Sequence, residues 1–126
     1  MNLRTLFSIN AIVAGLFGLA FVLVPGPLTE LYGIELTDAG LYVGRLLGAA
    51  FMMFAVVTWG SRDAQDSTAR QAIVLALFVG FVVGFVVSLV GQLNDIVNAL
   101  GWTTVAIYLL FSVAYGYFQF RQPETS

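Results

Sequence analysis

The chain contains no cysteine, no histidine and no lysine, so all five of its basic residues are arginine. Without cysteine there are no disulfides, thiolate ligands or thiol nucleophiles. Without histidine the commonest metal ligand and the usual base near neutral pH are missing. Haem, iron–sulfur and zinc centres are therefore not expected, nor is any other cofactor, and a carboxylate-only ion site is the one formal opening left. Carboxylates without a neighbouring histidine, cysteine or lysine are a thin inventory for hydrolytic or transfer chemistry, so no catalytic residue is expected and the chain does not read as an enzyme. A net charge of -2 with no basic stripe argues against nucleic acid as a partner.

Charge of either sign is scarce. Only 10% of the 126 residues are charged and 60% are hydrophobic, with a mean hydropathy of +0.93. A soluble domain carries about 25% charged residues, so a water-exposed surface is hard to assemble from this composition. A membrane-spanning helix needs about 20 mostly apolar residues, and four runs meet that need: 6–24, 39–59, 71–91 and 99–120. The connections between them are short and hold the turn-prone residues. The expected fold is all-α, one transmembrane domain over 1–126 built as an up-down four-helix bundle with antiparallel neighbours. The first run could be misread as a signal peptide, but it is longer than the usual apolar region of about 7–15 residues and ends without a small-x-small site, so an uncleaved helix is expected.

The arginines set the expected orientation. Arg4, Arg62, Arg70 and Arg121 fall on the side shared by the two termini and the middle connection, whereas the other side has Arg45 alone, with Glu30, Glu35, Asp38 and Asp95. Positive charge is retained on the cytoplasmic face, so both termini are expected in the cytoplasm. The chain is accordingly expected to be a multi-pass protein of the cell membrane, in a bacterium the cytoplasmic (inner) membrane.

Small residues recur at helical spacing and let helices approach closely in lipid. Gly15 and Gly18, Gly44 and Gly48, and Gly80 and Gly84 are the expected packing positions, chiefly within the chain, with homodimerisation as the alternative use. Tyr108 and Tyr115 stand seven apart on one face of the fourth run, with Ser112 between them. Interhelical hydrogen bonding and the lining of a lipid-like or quinone-like groove are the two readings of that face.

The first connection is not a plain linker. Pro25 and Pro27 restrict the chain as it leaves the first run, and a short amphipathic half-helix over about 27–32, ended by Gly33 and lying in the membrane interface, fits the segment. Thr37 or Asp38 is placed to cap the second run. In the other outer connection, Gln92, Asn94 and Asn98 offer amides that can turn back toward the helix ends.

Arg45 is the one charge set within an apolar run. Counted from Ala39 it lies about 9 Å along the axis, short of the midplane, where a long stem can snorkel outward. Its candidate partners are Asp38, Glu35, Asp95, Gln92, Asn94 and Asn98, with Asp95 or Asp38 first. An ion pair or anchor under an outer cap and the binding of an anionic head group both remain open.

A first helix ending in proline, the stretch Leu31-Tyr-Gly-Ile-Glu-Leu-Thr-Asp38 and the Arg45-x-x-Gly48-Ala49 motif resemble the small four-helix bacterial membrane proteins of the DUF4345-type family, and more loosely DoxX-like proteins. The likeness covers most of the chain and is sharpest from Pro25 through Ala49. The acidic residue that often precedes the arginine in that pattern is replaced here by Tyr42, Val43 and Gly44. The resemblance implies an integral membrane protein and no particular reaction. The function expected is that of a structural or accessory membrane protein, a subunit or stabiliser of a larger assembly; the alternative is a lipid- or isoprenoid-binding protein with an outer-leaflet pocket near Arg45. The partners expected are membrane lipids, with a homodimer or a larger membrane protein as further options.

Overall fold

The computed structural model describes residues 2–120, so Arg121, one of the four arginines in the orientation argument, lies outside the described residues. Those residues form five helices and no strand: α1 (Leu3–Leu23), α2 (Pro25–Leu31), α3 (Asp38–Ser61), α4 (Thr68–Leu93) and α5 (Gly101–Phe120). Four of them, all except α2, are long and apolar enough to cross a membrane. The chain divides into two compact units, one ending at Asp63 and the other beginning at Ala64.

Local chemistry sets where each helix starts. Asn2 accepts from Thr5 N–H at 2.8 Å, so α1 begins three residues before the apolar run at 6–24. Thr37 accepts from Gly40 N–H at 3.1 Å and is the cap of α3, leaving Asp38 in the first turn, where a carboxylate favours the positive end of the helix dipole. Ser67 caps α4 through Arg70 N–H at 3.2 Å. Helix α5 begins at Gly101, not 99, because the approach is tightened by i to i+3 bonds from Gly101, Trp102 and Thr103 N–H to the carbonyls of Asn98, Ala99 and Leu100.

In the first unit, α1 and α3 run antiparallel and cross at two glycines. A Cβ at Gly48 would lie 2.8 Å from the Gly18 carbonyl oxygen, and a Cβ at Gly18 would lie 3.0 Å from that of Gly48. Backbone therefore meets backbone at the crossing, a geometry open only to glycine and suited to Cα–H···O contacts. Gly15 faces Ala55, and Gly44 faces Pro25, at ordinary contact distance. Phe51 of α3 lies between Phe17 and Phe21 of α1, with centroids 6.4 and 6.0 Å away. At the end where α1 starts and α3 finishes, Asp63 accepts from Arg4 at 2.5 Å and lies 3.9 Å from Arg62. The Arg62 guanidinium sits 3.9 Å over the Trp59 ring, with Nη1 donating to the Trp59 carbonyl at the helix end.

In the second unit the seam between α4 and α5 is aromatic. Phe81 lies 4.9 Å from Phe111, 5.7 Å from Tyr115 and 5.8 Å from Tyr108, centroid to centroid. Phe78 meets Phe120 edge-on at 5.4 Å. Gly84 makes room for the Tyr108 ring, which a Cβ there would strike. Gly80, expected as a packing glycine, has nothing within 4 Å of an added Cβ among the described residues, because the register puts Gly84, one turn on, beneath the ring instead.

Candidate functional site

Arg45 sits on the exposed face of α3. Its Nε donates to the Val22 carbonyl of α1 at 3.2 Å, and it forms no ion pair among the described residues. Within the first unit Nε thus meets a backbone carbonyl and not Asp38, and the reason lies in the two prolines. Pro25 and Pro27 have no N–H, so the carbonyls of Phe21 and Leu23 lose the donors that would continue the helical ladder. The last turn of α1 is left rich in free carbonyls, the negative end of its dipole, and a guanidinium from the neighbouring helix is drawn there. The two η nitrogens of Arg45 carry four further N–H groups with no acceptor among the described residues of the first unit.

The segment after α1 is built to hold that arrangement. Val24 N–H closes on Ala20, and α2 begins at once with Pro25 in its first turn. This is two residues earlier than the half-helix read from sequence. Thr29 is buried and its hydroxyl donates to the carbonyls of Pro25 and Gly26, at 2.9 and 3.1 Å. Helix α2 ends in a complete Schellman turn: Gly33 N–H bonds Glu30 and Ile34 N–H bonds Thr29, both at 3.0 Å, with Gly33 at φ 78°. Glu30, Glu35 and Asp38 are all exposed in this unit.

In the second unit the polar residues of the α4–α5 connection act on their own turn. Asn94 donates to the Val90 carbonyl at 2.8 Å. The Gln92 side chain, 8% exposed, donates to the Asn98 carbonyl at 3.1 Å, while Asn98 Oδ1 accepts from Leu100 N–H at 3.0 Å. Gln92 Oε1 has no hydrogen-bond partner among the described residues; it lies against Gly101, where any side chain would strike it. Gly101 was not singled out by its sequence context, since only the folded turn brings Gln92 onto it.

Asp95 has a defined backbone task. It is the one described non-glycine residue with a positive φ, 59°, and it occupies the left-handed position of a second Schellman turn, with Asp95 N–H to Gln92 at 3.2 Å and Ile96 N–H to Gly91 at 3.1 Å. Aspartate tolerates this region better than most residues but less well than glycine. Asp95→Gly is therefore expected to leave the fold unchanged and to stabilise it by up to about 1 kcal/mol, the relief of left-handed strain less the greater freedom of glycine in the unfolded chain, whereas Asp95→Val should destabilise it by about 1 to 2 kcal/mol. Denaturation of the two variants in one detergent condition reads the difference.

On the tyrosine face Ser112 and Tyr115 are buried and Tyr108 is partly exposed. Tyr115 is 0% exposed and stacks on Phe81, and the Ser112 hydroxyl donates to the Tyr108 carbonyl of its own helix at 2.6 Å. Ser88 and Thr58 likewise return their hydroxyls to carbonyls of their own helices, the usual way a hydroxyl is satisfied in an apolar helix. No group of histidine, cysteine or acidic residues suited to a metal ion exists among the described residues. No family model, curated protein or solved structure matches the chain.

Proposed function

We propose that the chain is a four-span integral membrane protein with both termini in the cytoplasm, serving a structural or accessory role beside a larger membrane assembly. The observation that carries this reading is where the apolar surface lies. Of the most apolar stretch of each long helix, 33% of α1, 11% of α3, 11% of α4 and 22% of α5 is buried within the protein. The rest is hydrocarbon-like surface, including Leu16, Val56, Val87 and Leu110, each at least 65% exposed. Only lipid tails or other membrane helices cover such faces without penalty. The arginines support the orientation: Arg4 and Arg62 stand together at the end where α1 starts and α3 finishes, Arg70 stands in the first turn of α4, and Arg45 lies toward the other end of α3. The resemblance between Pro25 and Ala49 to small four-helix membrane proteins points the same way.

No reaction is assigned. Thr29, Thr37, Asn94 and the Gln92 amide nitrogen bond carbonyls or N–H groups of nearby turns and helix ends, which suits a scaffold. Extraction into native lipid discs without detergent, followed by mass measurement, tests the accessory role. Co-isolation with one larger membrane protein at fixed stoichiometry is expected; isolation only as a monomer or homodimer would refute that role.

A further inference from the structure

We propose that Arg45 and Asp38 together hold the head group of a zwitterionic phospholipid bearing a primary ammonium, with phosphate on the guanidinium and ammonium on the carboxylate. The proposal rests on the membrane reading above. Because Nε is tied to the Val22 carbonyl at 3.2 Å, the guanidinium plane is held and its outer edge presents both η nitrogens as a fork. That edge matches two oxygens of one phosphate, which a lysine could not reproduce.

The surroundings call for such a partner. Leu23 and Val24, which follow its partner Val22, and Tyr42 and Leu46, which flank it on α3, are 68%, 47%, 57% and 55% exposed. A guanidinium among apolar side chains, with four N–H groups left over, is costly unless an anion meets it.

The position of Asp38 selects the kind of head group. Seven residues separate Asp38 from Arg45, two turns of helix, so both project from the same side of α3. Both are exposed, and Asp38 has no ion pair among the described residues. Long helical side chains lean toward the N-terminus, so the Arg45 head reaches back toward Asp38. In the proposed orientation the cation lies deeper and the carboxylate nearer the water. An aminophospholipid has the complementary order, phosphate deeper and ammonium shallower. A purely anionic head group would bring net negative charge toward Asp38, with Glu30 and Glu35 on the adjoining segment. A quaternary ammonium would satisfy the charge but offer the carboxylate no N–H. A free phosphate would fill the fork and leave Asp38 unused.

Native mass spectrometry of the full chain tests this, with dioleoyl phosphatidylethanolamine, phosphatidylcholine or phosphatidylglycerol added in turn. The wild type should retain phosphatidylethanolamine about tenfold better than either of the others, the ratio expected of one charge-assisted contact. Arg45→Ala should abolish the retained lipid, and Arg45→Lys, which keeps charge but not the fork, should weaken it several-fold. Asp38→Asn should remove the preference among head groups while leaving a folded chain, because Thr37, not Asp38, caps α3. Equal retention of all three lipids by the wild type would overturn the proposal. Displacement of the lipid by millimolar inorganic phosphate would also overturn it, in favour of a free-anion site. Failure of the membrane reading would appear separately, as a chain that does not insert at all.

Discussion

Gly48→Val is expected to destabilise the protein by about 3 kcal/mol, measured as a shift in the midpoint of unfolding in mixed micelles. The size follows from what the new carbon meets. At 2.8 Å from the Gly18 carbonyl oxygen and 2.8 Å from Val22, with Phe21 at 2.9 Å, it has no flexible neighbour that could swing away. Two helix backbones must separate, and the Phe51 contacts to Phe17 and Phe21 are lost along with the crossing. In lipid this loss is not recovered by burying the new methyl groups, since they leave one apolar medium for another. The separation would also pull Val22 away from Arg45, so the lipid preference should fall in the same variant.

The second large effect is expected at Gly84. Gly84→Val should cost about 2 kcal/mol, because the ring of Tyr108 occupies the space and is itself held against Phe81 at 5.8 Å. The ring can turn only by giving up that contact. Gly80→Val, one turn away on the same helix with nothing within 4 Å, is the matched control. It should be neutral or slightly stabilising, since valine restricts the unfolded chain more than glycine does. Equal losses at 80 and 84 would mean that helix propensity, not the ring, sets the cost.

These two glycines show what periodicity could and could not settle. Spacing marked Gly18, Gly48, Gly80 and Gly84 alike, because a stripe of small residues states only that a helix has a flat side. Which glycine lies under a neighbour depends on register between helices, and register here comes from the rings of α4 and α5 and from the prolines at the end of α1. Helix existence was legible from apolar run length. Helix starts at Asn2, Thr37 and Ser67 depend on single side-chain acceptors, and of these the reading anticipated the cap before α3.

Arg45 is legible as a charge that needs a partner, and the sequence offers it carboxylates at Asp38, Glu35 and Asp95 and amides at Gln92, Asn94 and Asn98. The Val22 carbonyl also has a signal in the sequence: Pro25 and Pro27 remove the i+4 donors of the carbonyls on either side of it. Asp95 reads in the sequence as a candidate partner of Arg45; its conformational role is legible only from its left-handed backbone angle. Gln92 and Gly101 meet because the turn closes, and no spacing rule joins them.

Since the chain has no cysteine, single cysteines can map its topology against a silent background. Glu35→Cys and Ile96→Cys should react with a membrane-impermeant maleimide added to intact spheroplasts. Gln65→Cys and a cysteine appended after Ser126 should react only after lysis. Labelling of Gln65→Cys in intact spheroplasts, or equal labelling of positions 35 and 65 before lysis, would contradict the four-span arrangement with cytoplasmic termini.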